Sequence, residues 1–232
     1  MRIIFIPGFG EEPWIFDKLH PQLQGEKVFV DHWRLLGDQP QPALSPHVYA
    51  KKIIDRYNIT RYDLVIGHSM GGWLALHIKH LRHCPIVQIA SWTDERKIAR
   101  KLWGKTLVYW WVRQGLVFNP LVHRCLLWMN YRNKASAAVF SSIFKKLIRG
   151  NRECVANQLR LVYARRQAAP GVEPDLRIHA CADPVILFPD QAACEVPGDH
   201  FTLWTHPETV YQPLVAFMAN AVKANRLSEK PA

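Results

Sequence analysis

Residues 64–73 read LVIGHSMGGW: an apolar run stops at Gly67, crosses Ser69, and continues through Gly71 and Gly72 into further apolar residues. The run predicts a buried strand, and GGWLALHIKHL after it predicts a helix beginning at about Met70. Glycines on both sides of the serine let backbone segments pack closely at a sharp strand-to-helix turn, which holds the hydroxyl out at the tip. A serine needs that placement to act as a nucleophile. The same turn aims the Met70 backbone N–H, at a helix N-terminus, toward any carbonyl the serine attacks. The bland alternative is a tight turn that only packs a helix on a sheet.

Working outward, RIIFI (2–6) closed by Pro7-Gly8, KVFVDHW (27–33), PIVQIA (85–90), LRIHACADP (176–184) and ACEVPG (193–198) read as further strands. A helix follows Ser45, a good cap, with Pro46 in the first helical position and Ala50, Ile53, Ile54 and Tyr57 at helical spacing. Strands that are apolar throughout and alternate with helices predict a mostly parallel sheet covered on both faces. After Ser91 the alternation breaks into basic, aromatic-rich helical segments over 94–113, 119–131, 134–149 and 151–167. The expected organisation is therefore a core of residues 1–93 and 175–232 with a helical cap insertion at 94–174. A closing helix from Pro207 should be kinked by Pro213.

The 232 residues, 49% hydrophobic, suit one domain with a sizeable core. No apolar stretch is long enough to span a membrane, and the opening strand does not look like a leader, so a soluble, cytoplasmic protein is expected. Five dispersed cysteines without a Cys-x-x-Cys pair are expected to be reduced core residues. The net charge of +11 is localised, because residues 94–174 hold 16 Lys and Arg against 4 Asp and Glu.

IPGFG after the first strand, GHSMGG after the third, HACADP and then GDHF near the end, in that order, resemble the α/β-hydrolase superfamily, specifically its small cap-bearing serine hydrolases and esterases. The resemblance implies Ser69 as nucleophile, His200 as general base and Asp183 as the acid orienting it, with the Phe9 and Met70 amides as oxyanion donors. His206 is the competing base; Asp190 is the reserve acid, since only 17 residues separate Asp183 from His200, and Asp199 reads as a surface turn residue. Gly8, Gly10, His68 and Trp92 are the expected substrate contacts, with His68 shaping the pocket rim. Where many relatives have His-Gly this chain has Pro7-Gly8, which leaves the backbone donor intact. His77, His80 and His83 recur every third residue without a carboxylate, so no metal is expected, and no organic cofactor is implied.

The segment RKIARKLWGKTLVYWWVR (96–113) reads as a helix whose aromatic side, including Trp103, Tyr109, Trp110 and Trp111, covers the site while its cations face water. Its charge suits an anionic partner: an acyl chain on a carrier protein or CoA, or an anionic membrane surface. Nucleic acid is not expected, since no binding module is recognisable. The expected activity is hydrolysis of a carboxylic ester or thioester. The alternatives are acyl transfer on the same triad, and a non-catalytic module that binds its partner through the basic segment.

Overall fold

The computed structural model describes residues 1–99, 105–164 and 171–228. Six strands, β1 (Arg2–Ile6), β2 (Glu26–Phe29), β3 (Leu64–His68), β4 (Ile86–Ile89), β5 (Leu176–Ala180) and β6 (Cys194–Val196), form one parallel sheet in the order β2-β1-β3-β4-β5-β6. Because side chains alternate along a strand, Ile3, Phe5, Leu64 and Ile66 join a core on one face, while Ile4, Ile6, Val65 and Ile86 join a second core on the other. Along the central strands both faces are buried, which is why β1, β3 and β4 read as nearly continuous apolar runs, while the edge strands β2 and β6 are partly exposed.

Helix α1 (His32–Leu36) follows β2. The predicted strand at 27–33 is too long: β2 ends at Phe29, and Asp31 caps α1 by accepting the Arg34 N–H at 3.1 Å. Ser45 caps α2 (Pro46–Tyr57) as expected, accepting the Val48 N–H at 3.2 Å. Helix α3 (Met70–Arg82) follows the serine. Four helices, α4 (Lys105–Arg113), α5 (Pro120–Leu126), α6 (Ala137–Arg149) and α7 (Arg152–Val162), lie between β4 and β5, and a π-helical turn (Leu127–Tyr131) extends α5. Residues 100–104 of the expected 94–113 helix, Trp103 among them, lie outside the described residues.

Beyond β6 come α8 (Thr202–Thr205) and α9 (Pro207–Ser228), which keeps Pro213 within its span. No α-helix separates β5 from β6, which accounts for the short interval between Asp183 and His200. The cysteine expectation holds only in part: Cys84 and Cys154 are buried, but Cys125 and Cys181 are exposed, and all five are free. No helix among the described residues is long and apolar enough to cross a membrane.

Candidate active site

The turn after β3 is as tight as its glycines suggested. A Cβ on Gly71 would overlap the Ile6 carbonyl oxygen, and one on Gly67 would overlap the backbone of Gly71 and Gly72. The close approach of β1, β3 and α3 therefore requires both glycines. Ser69 sits at the tip with φ 51° and ψ −120°, a conformation that costs a non-glycine residue about 1–3 kcal/mol and persists only where its surroundings impose it. Its carbonyl accepts from the Ser91 hydroxyl at 2.7 Å and from the Gly72 and Trp73 amides, which pins the strained residue.

Two more strand ends bring partners to this tip, since sites of open α/β sheets gather at the carboxyl ends of the strands. Asp183 lies just past β5 and His200 just past β6. His200 Nε2 is 3.0 Å from Ser69 Oγ, and its Nδ1 is 2.8 Å from Asp183 Oδ2. The other carboxylate oxygen of Asp183 accepts the Val185 and Ile186 amides at 2.7 and 2.9 Å. With Nδ1–H donated to the carboxylate, Nε2 is left to accept the serine proton.

Burial opposes a charged imidazolium at His200, but the charge and hydrogen bond of Asp183, with Glu11 and Asp199 adding to them, outweigh it and raise its pKa above the ordinary histidine value. Burial likewise pushes the Asp183 carboxyl up, and is outweighed by the His200 charge and hydrogen bond and the two amides, so its pKa falls below the ordinary value. Asp190 is instead exposed and paired with Lys97 at 2.5 Å, and His206 bonds Thr205 Oγ1 at 2.9 Å. Asp199 is not the surface residue expected from its turn: it is buried, accepting from Ser136 Oγ at 2.5 Å and from the Phe201 amide at 3.1 Å.

The loop after β1 closes over the serine. Gly8 packs so tightly against Ser69 that a Cβ there would come within 2.9 Å of the serine Cβ. The Gly8 N–H donates to Glu11 Oε2 at 2.5 Å and the Gly10 N–H to Gln158 Oε1 at 2.8 Å. The Phe9 and Met70 amides have no acceptor among the described residues. A cavity of about 180 Å³ opens in front of them, with Ser69, His200 and Glu11 on its polar side. Phe9, Phe118, Tyr131, Phe140, Phe144 and Phe201 supply its aromatic walls.

None of the four expected substrate contacts lines this cavity: Gly8 packs against Glu11 and Ser69, and Gly10 against the Leu147 side chain. His68 is fully buried below the rim, with Nδ1 2.9 Å from Glu11 and Nε2 2.8 Å from the His200 carbonyl oxygen. Trp92 is buried in the core on the other face of the sheet and stacks on Trp73 at 6.0 Å. The aromatic cover also differs from expectation: α4 contributes no cavity wall among the described residues, Trp110 is exposed and Tyr109 lies under Arg160. Helix α6 supplies the cover instead, through Phe140, Ile143, Phe144 and Leu147.

Glu11 is the site residue that sequence reasoning missed. Its 2% exposure places a carboxylate directly beneath the serine loop. The one available signal was its position immediately after PGFG, where Glu12 is an equal candidate; Glu12 turns outward to Lys146 at 2.8 Å. Among the described residues, no cluster of His, Cys, Asp and Glu has the arrangement to hold a metal ion.

The description "Alpha/beta hydrolase family" belongs to the family model that matches residues 3–212. Solved structures that resemble the chain include an esterase from Thermogutta terrifontis (14% identity, TM-score 0.70, covering 95% of this chain and 90% of that one). An enol-lactonase from Burkholderia xenovorans (14%, TM-score 0.67, 94% and 91%) and a meta-cleavage product hydrolase from Pseudomonas fluorescens (16%, TM-score 0.67, 95% and 91%) are similar to the same extent. At these identities the likeness is one of fold. No curated protein sequence matches the chain.

Proposed function

Because the chain belongs to the alpha/beta hydrolase family, we propose that it is a serine hydrolase that cleaves a carboxylic ester or thioester through an acyl-enzyme on Ser69. The observation that carries this reading is the line Ser69 Oγ–His200–Asp183, with contacts of 3.0 and 2.8 Å, facing an aromatic cavity. His200 Nε2 takes the serine proton as Oγ attacks the carbonyl. Asp183 holds the tautomer and stabilises the imidazolium that forms. The Phe9 and Met70 amides, which have no acceptor among the described residues, receive the oxyanion. His200 then protonates the leaving group, and in the second half it takes a proton from water so that hydroxide releases the acyl group.

Glu11 and His68 hold this arrangement together from below. His68 Nε2 faces a carbonyl oxygen, so it must donate there, and Nδ1 then shares a single proton with the Glu11 carboxylate. The pair ties the Gly8 amide to the His200 backbone, which sets the oxyanion loop against the loop that bears the base.

Helices α4–α7 act as a cap, supported by the α6 side chains over the serine. Their cationic excess suits an anionic partner. Free, exposed Cys125 and Cys181 suit a reducing, cytoplasmic compartment. Steady-state hydrolysis of short p-nitrophenyl esters tests the reading: Ser69→Ala should lose kcat by a factor of order 10⁴ or more, and retention of wild-type turnover would refute it.

A further inference from the structure

From Arg96 to Arg152 the chain carries 13 Lys and Arg and no Asp or Glu. Within that stretch, α5, the π-helical turn and Arg132 just past it turn one face to solvent, on which Leu121, Arg124, Cys125, Trp128, Met129 and Arg132 recur at alternating intervals of three and one residues. Leu121 is 77% exposed, Trp128 65% and Met129 52%. Large apolar side chains concentrated on one exposed face mark an interaction surface rather than ordinary scatter. Arg124 and Arg132 lie among and beside them, and neither has a carboxylate partner among the described residues. An open groove lies between these two arginines, and Tyr131, which lines it, also forms a wall of the cavity holding Ser69.

We propose that this face is a docking surface for an anionic lipid bilayer. Leu121, Trp128 and Met129 enter the boundary between headgroups and acyl chains, and Arg124 and Arg132 pair with lipid phosphates. Leu121, Trp128 and Met129 project beside two arginines from one short surface helix, the arrangement with which an interfacial segment buries apolar groups at headgroup depth while its cations meet the phosphates; capture by an acidic protein is the competing outcome. The segment Pro120–Tyr131 is too short to span a bilayer and lies along its surface. Given the hydrolase reading, the same placement brings an ester of the lipid phase to Tyr131, the wall shared by surface groove and catalytic cavity.

Vesicle flotation of the full chain tests this. Wild type should float with phosphatidylcholine vesicles containing about 30% phosphatidylglycerol and stay behind with phosphatidylcholine alone. Raising NaCl from roughly 50 to 500 mM should weaken binding at least about tenfold. Leu121→Ser with Trp128→Ser should weaken it at least about tenfold at both salt levels. Arg124→Gln with Arg132→Gln should weaken it about tenfold at low salt and flatten the salt dependence. If the Leu121/Trp128 pair fails to fold, judged by its thermal transition, Leu121→Gln with Met129→Gln carries the same test. Ser69→Ala should bind vesicles as wild type does, so a failed hydrolase reading leaves this result standing. Wild type that ignores anionic vesicles, apolar-face variants that float unchanged, or capture by an acidic carrier protein without vesicle binding would each overturn the proposal.

Discussion

Replacing Glu11 by alanine removes the acceptor of the Gly8 N–H and the partner of His68 Nδ1, both in the interior. Each polar group left buried without a partner costs about 1–3 kcal/mol, so Glu11→Ala should lose roughly 2–6 kcal/mol. That is a large share of the ~5–15 kcal/mol a domain has in total. Glu11→Gln is the informative companion. With His68 neutral and Nε2–H donated to the His200 carbonyl, an amide at position 11 can put its oxygen where Oε2 accepts from Gly8 and its nitrogen where Oε1 lies 2.9 Å from Nδ1. Every contact survives and only the shared charge is lost. Urea unfolding near neutral pH should show a lowered midpoint at unchanged slope for Glu11→Ala and a near-wild-type midpoint for Glu11→Gln. Turnover should follow: kcat falls at least about tenfold in the alanine variant, through a displaced Phe9 amide, and recovers in the glutamine variant. If glutamine is as unstable and slow as alanine, the hydrogen-bond reasoning fails; if alanine costs less than about 0.5 kcal/mol, no strut exists.

Two further outcomes follow from titration. His32 is fully buried between the Tyr49 hydroxyl and the Pro7 carbonyl, and burial lowers its pKa to about 4 despite that carbonyl and the nearby Asp31 and Glu11 charges. Between the ordinary 6.5 and that value the unfolded chain binds the extra proton, so the His32 contribution is full above pH 6.5 and should fall by about 3 kcal/mol on acidification toward 4; urea midpoints across this range should show the fall, and a flat profile would contradict it. The raised pKa of His200 places the rising limb of kcat/KM above pH 6.5, because the base must be neutral to act. Asp183→Asn should shift that limb to lower pH and reduce kcat by roughly 10³–10⁴-fold; a limb that stays in place would show that Asp183 does not govern the imidazole.

The sheet was legible because its central strands β1, β3 and β4 are short, largely apolar runs bounded by turn residues, and the serine turn because its glycines are obligatory where β1, β3 and α3 meet. What failed was direction. HW after Asp31 is apolar enough to prolong a strand, but the Asp31 carboxylate takes the Arg34 amide and its carbonyl the Leu35 amide, which starts a helix there instead. His68 sits beside Ser69 in the chain, but a residue at the end of a two-faced strand can point into the site or under it; here it points under, to Glu11. Tyr109 and Trp110 are as aromatic as Phe140 and Phe144, and periodicity does not say which helix lies over the serine. Asp199 follows Gly198 as a solvated turn residue would, and is buried by Ser136, 63 positions away.

The central claim is that Ser69 is made reactive by His200. Treating the folded protein with a fluorophosphonate and locating the adduct by peptide mass spectrometry tests it most directly. The account predicts one adduct, on Ser69, formed readily by wild type and suppressed in His200→Ala. An adduct on another residue, or Ser69 modified equally fast without the imidazole, would contradict it.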